Sequence, residues 1–264
     1  MSRSADLLRW YAAAARPLPW RATRDPYALL VSEVMLQQTQ AARVAPRYEA
    51  FLARFPDVAA LAAAPARDVL EEWSGLGYNR RALALQAAAR HVVEHGWPED
   101  LETLPGVGAY TAAAVASFAW DAQRAAVDVN VARVIARWDG RDRTPRALAD
   151  RAAMLLPPGR AATWNQAMME LGATVCTART ARCGSCPVPA HCASAGASPA
   201  PRRAARPRPR FEETDRFARG RVVAALLAGD PLPAFPAERL ERALAGLAAD
   251  GLVVRDAAGA PSLP

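Results

Sequence analysis

Apolar residues recur at helical spacing along most of this chain. From Tyr27 to about Thr39, for example, Leu29, Val34 and Leu36 follow the spacing of a helix that buries one side. Up to residue 193 no stretch shows the period of two that marks a half-buried strand, so the sequence predicts an all-α fold. The expected helices cover residues 1–16, 27–39, 42–55, 58–63, 67–73, 80–94, 109–119, 131–138, 147–155 and 163–171.

The pattern changes after residue 193. Residues 194–210 contain five arginines and four prolines and are predicted to form an extended linker. Beyond them, two amphipathic helices are expected over Asp215–Ala228 and Ala237–Ala249, and a strand over Gly251–Arg255. This order predicts a small winged-helix-like module at 211–264. The arginines of the linker could contact phosphates, and the module could instead dock a partner protein or only stabilise the fold.

Composition narrows the class of protein. The 264 residues are 52% hydrophobic, enough for one large domain and a small one. They contain no apolar run of ~18 residues and no secretory signal, so we expect a cytoplasmic protein without a membrane partner. The net charge of +7 favours a polyanionic partner. All 33 basic residues are arginine, which excludes a lysine Schiff base.

The turn Leu104-Pro105-Gly106-Val107-Gly108 stands directly before an Ala-rich helix. Two glycines around one apolar residue allow a sharp turn and a close approach to another molecule. Val107 can anchor the turn in the core, while the N–H groups near Gly106 and Gly108 can bind phosphate at the helix N-terminus. The alternative is an ordinary helix–helix turn.

Two acidic residues lie within apolar runs. Asp128 lies two residues before Asn130. A buried carboxylate is unfavourable without a functional role or a bonding partner, so Asp128 is expected to be either a catalytic group or a helix cap. Glu33 follows Ser32 on an apolar helix face. A lone glutamate of this kind is ordinarily half-exposed or ion-paired, whereas a dry pocket would raise its pKa and make it a proton donor.

All four cysteines fall in one short segment. Cys176, Cys183, Cys186 and Cys192 have the spacing C-x6-C-x2-C-x5-C. A tight cluster in a cytoplasmic chain indicates a metal site and not a disulfide framework. Four thiolates bind either zinc or a 4Fe–4S cluster, and their chemistry alone does not distinguish the two.

Taken together, these motifs resemble the endonuclease III superfamily of helix-hairpin-helix DNA glycosylases, in particular the MutY-type adenine glycosylases. The resemblance covers about 70% of the chain. It includes Leu18-Pro19-Trp20-Arg21, the segment Ser32–Thr39, Gly75-Leu76-Gly77-Tyr78, the hairpin, Val127–Val131, Asn165–Gly172 and the cysteine spacing.

The resemblance implies a two-lobed fold with a 4Fe–4S cluster loop. The glycosylase core would span 1–193, with a six-helix lobe at about 22–130 and an iron–sulfur lobe built from 1–21 and 131–193. The four cysteines would bind the cluster, and Arg179 and Arg182 beside them would contact DNA phosphates.

The resemblance also assigns roles to single residues. Glu33 would be the general acid that protonates adenine, and Asp128 would stabilise the positive charge that develops on the sugar. The residues that bind the base or enter the base stack would be Trp20, Arg21, Leu36, Gln38, Tyr78, Tyr110, Asn130 and Glu170. The hairpin at Gly106, Val107 and Gly108 would hold the DNA backbone.

Two positions and the C-terminal segment depart from the family pattern. Tyr110 stands where endonuclease III has a lysine, which argues against lyase activity but is also compatible with thymine mismatch glycosylases. Val129 replaces the usual glycine beside Asp128. No histidine follows His191, so the Ser-His loop of the family's Nudix-like C-terminal domain is not expected here.

The sequence therefore predicts a base-excision repair enzyme that removes adenine opposite 8-oxoguanine or guanine. The expected partner is double-stranded DNA containing mispairs, bound by a monomer associated with the nucleoid. Two alternatives remain: a thymine or uracil mismatch glycosylase, and a non-catalytic iron–sulfur DNA-binding regulator. Retention of both Glu33 and Asp128 argues against the regulator, which needs neither acid.

Overall fold

The computed structural model describes residues 2–197 and 209–264. Within these ranges the chain is mostly helical, as the sequence predicted. The α-helices are α1 (Arg3–Ala14), α2 (Pro26–Leu36), α3 (Ala41–Arg54), α4 (Val58–Ala63), α5 (Ala66–Glu72), α6 (Arg80–His95), α7 (Ala109–Trp120), α8 (Val129–Asp139), α9 (Pro145–Leu155), α10 (Ala161–Thr174), α11 (Asp215–Ala228) and α12 (Ala237–Ala249).

The only strands in the described ranges lie near the C-terminus. β1 (Val254–Arg255) pairs antiparallel with β2 (Pro261–Ser262). The predicted order of helix, helix and strand-turn-strand is therefore present after residue 210. Short 3₁₀ helices occur at Pro19–Arg21, Leu101–Thr103, Cys183–Ser185, Pro189–His191 and Phe211–Glu213.

Helix ends differ from the predicted ends where a side chain or a backbone angle intervenes. α8 begins at Val129 and not at Val131, because the side chain of Asp128 accepts hydrogen bonds from the first free backbone N–H groups of that helix. α2 ends at Leu36, and Gln38 two residues later adopts a left-handed φ of 56° that no α-helix contains.

The chain divides into two compact units. The first comprises residues 2–33, 100–102 and 107–197, and the second comprises 34–99, 103–106 and 209–264. Residues of the predicted six-helix lobe, about 22–130, occur in both of these units. The reason is that α7 carries small buried side chains, among them Ala113, Ala114 and Ala119, which let it pack closely on α10 of the first unit.

The C-terminal segment 209–264 belongs to the second unit. Its helix α11 packs against α5 and α12. Arg67 at the start of α5 donates to the backbone oxygens of Leu226 and Leu227 near the end of α11, where helix carbonyls lack partners. The predicted linker, residues 194–210, lies mostly outside the described residues, and so do four of its arginines.

An apolar core fills the first unit. It includes the aromatic residues Tyr11, Trp138 and Trp164, and Cys176, Cys186 and Cys192 are packed against it. The cysteine segment is thus supported by the same core that fixes α8 and α10. Across the described residues no helix has the length and apolar character that crossing a membrane requires.

Helices α8 and α10 approach each other most closely at Gly172. A Cβ at this position would lie 2.6 Å from the Cβ of Asn130 and 3.1 Å from its backbone. Both distances are well inside van der Waals contact, and backbone cannot move aside as a flexible side chain can. The crossing of these helices therefore requires a residue without a side chain at position 172.

We predict that Gly172→Ala lowers the free energy of unfolding by about 1–3 kcal/mol, because the added methyl group overpacks the crossing. Thermal or urea unfolding measures the change. Gly220→Ala is the matched control, since Gly220 is also a helical glycine but a Cβ there meets nothing within 4 Å. The control should be neutral or stabilising, by roughly 0.5–1 kcal/mol. Equal effects of the two variants would contradict the packing argument.

Candidate active site

Glu33 is a buried acid on α2. Its side chain belongs to the core of the first unit, with 4% of the residue exposed. The hydroxyl of Tyr110 forms a hydrogen bond with its carboxyl group. The second carboxyl oxygen, Oε2, is buried and makes no hydrogen bond among the described residues. An unsatisfied buried oxygen is costly, and it marks a group that is kept available for another partner.

Burial controls the protonation of Glu33. Removal from water raises the pKa of its carboxyl group to about 7, and the negative charge of Asp128 acts in the same direction. The hydrogen bond from Tyr110 opposes the shift because it stabilises the ionised form. Burial, with the charge of Glu33, also raises the pKa of Tyr110 well above its usual value, so this phenol stays neutral. Glu33 is therefore suited to hold a proton near neutral pH.

Asp128 is the N-cap of α8. One carboxylate oxygen, Oδ1, accepts from the backbone N–H groups of Asn130 at 2.9 Å and Val131 at 2.7 Å. The other, Oδ2, accepts from the side-chain amide of Asn130 at 2.7 Å. The helix-capping alternative is thus correct for its local structure. Capping fixes the carboxylate at a defined place beside the positive end of a helix, which also suits an electrostatic role.

Asn130 is held in turn by Arg133. The guanidinium of Arg133 donates to Asn130 Oδ1 at 2.7 Å, to the carbonyl of Gly172 at 2.6 Å and to the carbonyl of Cys176 at 2.9 Å. One side chain therefore joins the cap of α8, the end of α10 and the first cysteine. Val129, the departure from the family pattern, is 78% exposed, and its carbonyl accepts a hydrogen bond from Arg133 at 3.3 Å.

Glu170 is an ionised acid with two arginine partners. Arg16 binds it through two hydrogen bonds, at 2.7 and 2.9 Å, and Arg21 adds a third at 2.6 Å. Burial opposes ionisation, but the hydrogen bonds from Arg16 and Arg21 outweigh it and lower the pKa of Glu170. Three of the roughly four acceptor positions of a carboxylate are used, and the fourth is on Oε1. Trp20, buried in the adjoining 3₁₀ turn, also lies in this unit.

The hairpin has the local form that the sequence predicts. Val107 is buried, whereas Gly106 and Gly108 are exposed, and Gly108 caps the N-terminus of α7. Gly106 has a φ of +75°, and a Cβ there would lie 2.7 Å from that of Ala84. Backbone conformation and space therefore both require glycine at position 106.

Leu36, Gln38 and Tyr78 belong to the second unit. Gln38 and Tyr78 have positive φ angles, 56° and 49°, which side chains other than glycine rarely adopt. Both residues are exposed, while Leu36 is half-buried. Strained backbone that presents an exposed side chain is a feature of functional sites.

Arg81 fixes the two strained turns. Its Nη1 donates to the carbonyls of Val34, Met35 and Gln37 at the end of α2, and its Nη2 donates to the carbonyl of Gly77. Burial lowers the pKa of Arg81 to about 10, so it remains charged at neutral pH. No sequence pattern points to this residue, because its partners are 4–47 positions away along the chain.

The four cysteines line one cavity of about 300 Å³ in the first unit. Arg137 on α8 donates to Cys176 Sγ at 3.2 Å, and the thiol of Cys192 donates to the carbonyl of Arg137 at 3.4 Å. Burial raises the pKa of Cys186 and Cys192. No three Cys, His, Asp or Glu side chains in the described ranges are arranged closely enough to hold a single metal ion. Arg179 and Arg182 in this segment are exposed.

Three further arginines of the first unit were not identified from the sequence: Arg16, Arg133 and Arg137. Arg133 and Arg137 follow Asn130 at helical spacing, so their position on one side of α8 could have been found. Their partners in the cysteine segment could not, because that segment has no periodic pattern. Arg16 follows the last turn of α1 and gave no signal.

Comparison with known proteins agrees with this geometry. Residues 31–158 match a family described as "HhH-GPD superfamily base excision DNA repair protein". The adenine DNA glycosylase of Mycobacterium tuberculosis is 43% identical over 290 residues, which covers 98% of this chain and 92% of that protein. The human adenine DNA glycosylase is also 43% identical, over 71% of this chain but 38% of its own length.

Solved structures show the same fold. A thermostable thymine-DNA glycosylase aligns with a TM-score of 0.67 and 31% identity, over 72% of this chain and 93% of that one. A trapped endonuclease III–DNA covalent intermediate aligns with a TM-score of 0.61 over 72% of this chain and 92% of that one, at 23% identity. By its fold and by its identity over nearly its full length, this chain belongs to the adenine DNA glycosylase family of the HhH-GPD superfamily of base excision DNA repair proteins.

Proposed function

We propose that this protein removes adenine mispaired with 8-oxoguanine or guanine in double-stranded DNA, by hydrolysis of the N-glycosidic bond. The observation that carries the proposal is the pair of acids in the first unit. Glu33 has a pKa raised to about 7, and Asp128 is held by three hydrogen bonds. Two carboxyl groups in such different environments suit different roles in one reaction.

Glu33 is the proton donor. Its burial keeps the carboxyl group neutral near pH 7, and Oε2 is free of other partners among the described residues. A proton delivered to a ring nitrogen of adenine makes the base a better leaving group. Tyr110 orients the carboxyl group and, being neutral itself, adds no charge to the site.

Asp128 stabilises the sugar as the bond to the base breaks. The sugar then gains positive charge, and a carboxylate already fixed in position needs no reorganisation to stabilise it. Asn130 and Arg133 hold that position. Water completes the hydrolysis at the anomeric carbon, and without lysine the chain cannot form a lysine Schiff base for strand cleavage.

Other residues bind the substrate. Trp20, Arg21, Leu36 and Glu170 bind the extruded adenine, and the remaining acceptor position on Glu170 suits its exocyclic amino group. Gln38 and Tyr78 enter the base stack. The aromatic ring of Tyr78 can stack on neighbouring bases whatever their sequence. Gly106, Val107 and Gly108 hold phosphates through backbone N–H groups, and Arg179 and Arg182 add contacts. One monomer suffices on the duplex.

The cysteines fit a 4Fe–4S cluster. Four thiols line one cavity and no carboxylate or histidine accompanies them, which is the donor set that such a cluster requires. When bound, the cluster would join Cys176, Cys183, Cys186 and Cys192 by bonds to four sulfurs and so fix the shape of this segment. Arg133 and Arg137 transmit that shape to α8 through their contacts with Cys176.

A thymine or uracil mismatch glycosylase is the second candidate. It is favoured by Tyr110, which the resemblance allows in both kinds of enzyme, and by the fold shared with a thymine-DNA glycosylase. Such an enzyme has less use for a protonated Glu33. The two candidates therefore differ in what removal of this acid should do.

The excision rate should depend on the protonation of Glu33. Because its pKa is raised and the neutral form is active, single-turnover excision should be constant below about pH 7 and fall above it. The fall should approach about tenfold per pH unit once Glu33 is mostly ionised. Tyr110→Phe removes a hydrogen bond that lowers this pKa, so its falling limb should move to higher pH. A fall in the excision rate centred at the ordinary pKa of a glutamate would refute the assignment of Glu33 as the proton donor.

Conservative substitutions distinguish the catalytic roles of Glu33 and Asp128 from their structural roles. Glu33→Gln removes the proton donor and should slow adenine excision by about 10²–10⁴-fold. Asp128→Asn keeps an acceptor that can cap α8 but removes the charge, and should cost about 10²–10³-fold. Thermal unfolding should show both variants folded, and gel-shift titration should show that both still bind mispaired duplexes.

The substrates for this experiment are duplexes with 8-oxoG:A, G:A, G:T and G:U, each analysed with and without alkali. Near-normal excision by Glu33→Gln, together with activity on G:T or G:U, would establish the second candidate instead. Strand cleavage without alkali and a borohydride-trapped adduct would contradict the absence of lyase chemistry.

Metal analysis tests the cofactor. Anaerobically purified protein should contain about four iron atoms per chain and be yellow-brown. Cys186→Ser should lower the iron content, the thermal stability and the affinity for DNA. Ser185→Ala, which changes the neighbouring exposed hydroxyl, should leave the iron content unchanged. A colourless, active, zinc-loaded protein would show that the thiolates bind zinc.

A further inference from the structure

Arg216 on α11 lies directly on the ring of Tyr78. Its guanidinium carbon is 3.9 Å from the ring centroid, and its Nη1 donates to the phenolic oxygen at 2.7 Å. Its Nη2 also borders Gly77, since a Cβ on that glycine would lie 3.6 Å from it. The C-terminal segment thus provides one arginine that both stacks on and hydrogen-bonds with a single side chain.

Tyr78 needs such support. Its φ of 49° is unfavourable for a residue with a Cβ, and its side chain is exposed. The guanidinium of Arg81 is 5.4 Å from the centroid of the same ring, so two cations lie close to Tyr78. Arg81 is fixed by backbone carbonyls, whereas Arg216 is exposed and reaches Tyr78 from a separate part of the sequence.

The C-terminal segment also contacts the rest of the second unit through residues other than Arg216. Arg67 binds the carbonyls near the end of α11, and Arg80 lies 3.7 Å from Asp250, the C-cap of α12. Arg219 pairs with the same aspartate. Loss of the Arg216 side chain should therefore leave the segment in place while it frees the ring of Tyr78.

We propose that Arg216 is a positioning residue for Tyr78, through which the C-terminal segment influences mispair recognition. The claim that this ring enters the base stack rests on the proposed function, whereas its immobilisation by Arg216 does not. A ring held at a fixed angle loses less conformational freedom when bases stack on it, so binding to a distorted mispair is favoured. Arg216 therefore acts on Tyr78 by fixing the orientation of its ring as well as by its positive charge.

Binding is measured in the Glu33→Gln background, which prevents excision. The quantity of interest is the ratio of affinities for a G:A duplex and for the same duplex with a G:C pair. Arg216→Ala should lower this ratio by about tenfold, as expected for loss of a charge-assisted hydrogen bond and a cation–π contact. Arg216→Lys keeps the charge but not the planar stack, so it should restore little of the ratio.

Arg221→Ala is the matched control. Arg221 is an exposed arginine on the same helix, and its loss removes the same charge. It should weaken binding to both duplexes alike and leave their ratio unchanged. An equal fall in the ratio for Arg221→Ala, or full rescue by Arg216→Lys, would show that only net charge matters and would overturn the proposal.

A double-mutant cycle with Tyr78→Phe tests the pairing itself. Phenylalanine keeps the ring but loses the hydrogen bond, so Arg216→Ala should cost less in the Tyr78→Phe background than in the parent. Strictly additive effects would mean that the two side chains do not act together.

Hydrogen exchange provides a measurement that needs no DNA. The amides of Leu76 and Arg81 bond to the carbonyls of Trp73 and Tyr78, so their exchange reports opening of this turn. Arg216→Ala should accelerate exchange over residues 73–82 but not within α12, and Arg221→Ala should do neither. Unchanged exchange would overturn the positioning role even if the protein excises adenine. If Arg216→Ala accelerates exchange but the parent protein excises no adenine, only the proposed function is refuted.

Discussion

Burial of the Glu33 carboxyl group is the constraint around which the first unit is arranged. A carboxylate in the core is unfavourable, so the group holds a proton at pH values where an exposed glutamate would not. Tyr110 supplies one hydrogen bond, and Oε2 has no partner in the described part of the chain. The fold tolerates this cost because the surrounding packing is extensive. The same unit keeps Glu170 ionised by giving it two arginines, and it holds the Asp128 side chain with backbone N–H groups of α8.

The chain contains no lysine, and the shape of the arginine side chain explains much of the architecture. A planar group with five N–H donors can bridge several carbonyls at once, which an ammonium group does less well. Arg81 joins the end of α2 to the turn before α6, Arg133 joins α8 to α10 and to Cys176, and Arg67 binds the end of α11. In this way, carbonyl groups left unpaired at the end of a helix accept hydrogen bonds that connect the helix to another element.

The sequence allowed much of this to be predicted, and the failures have physical causes. Helices α4, α11 and α12 have the predicted bounds, because apolar spacing and flanking prolines or glycines define them locally. The packing of α7 on α10 depends on small side chains that meet over long separations in the sequence, which periodicity does not reveal. The left-handed angles at Gln38 and Tyr78 were also hidden, because neither residue type requires them.

The contact of Gly172 with Asn130 has an evolutionary consequence. Because the backbone of Asn130 lies within 3.1 Å of where a Cβ would be, no change of the side chain at 130 alone can make room for alanine at 172. A substitution at 172 would have to be accompanied by a shift of α8, and that shift would move the cap at Asp128 and the carbonyl bound by Arg133. A single substitution at this position is therefore destabilising, and lineages that descend from such a protein should retain Gly172 for as long as they retain Asp128.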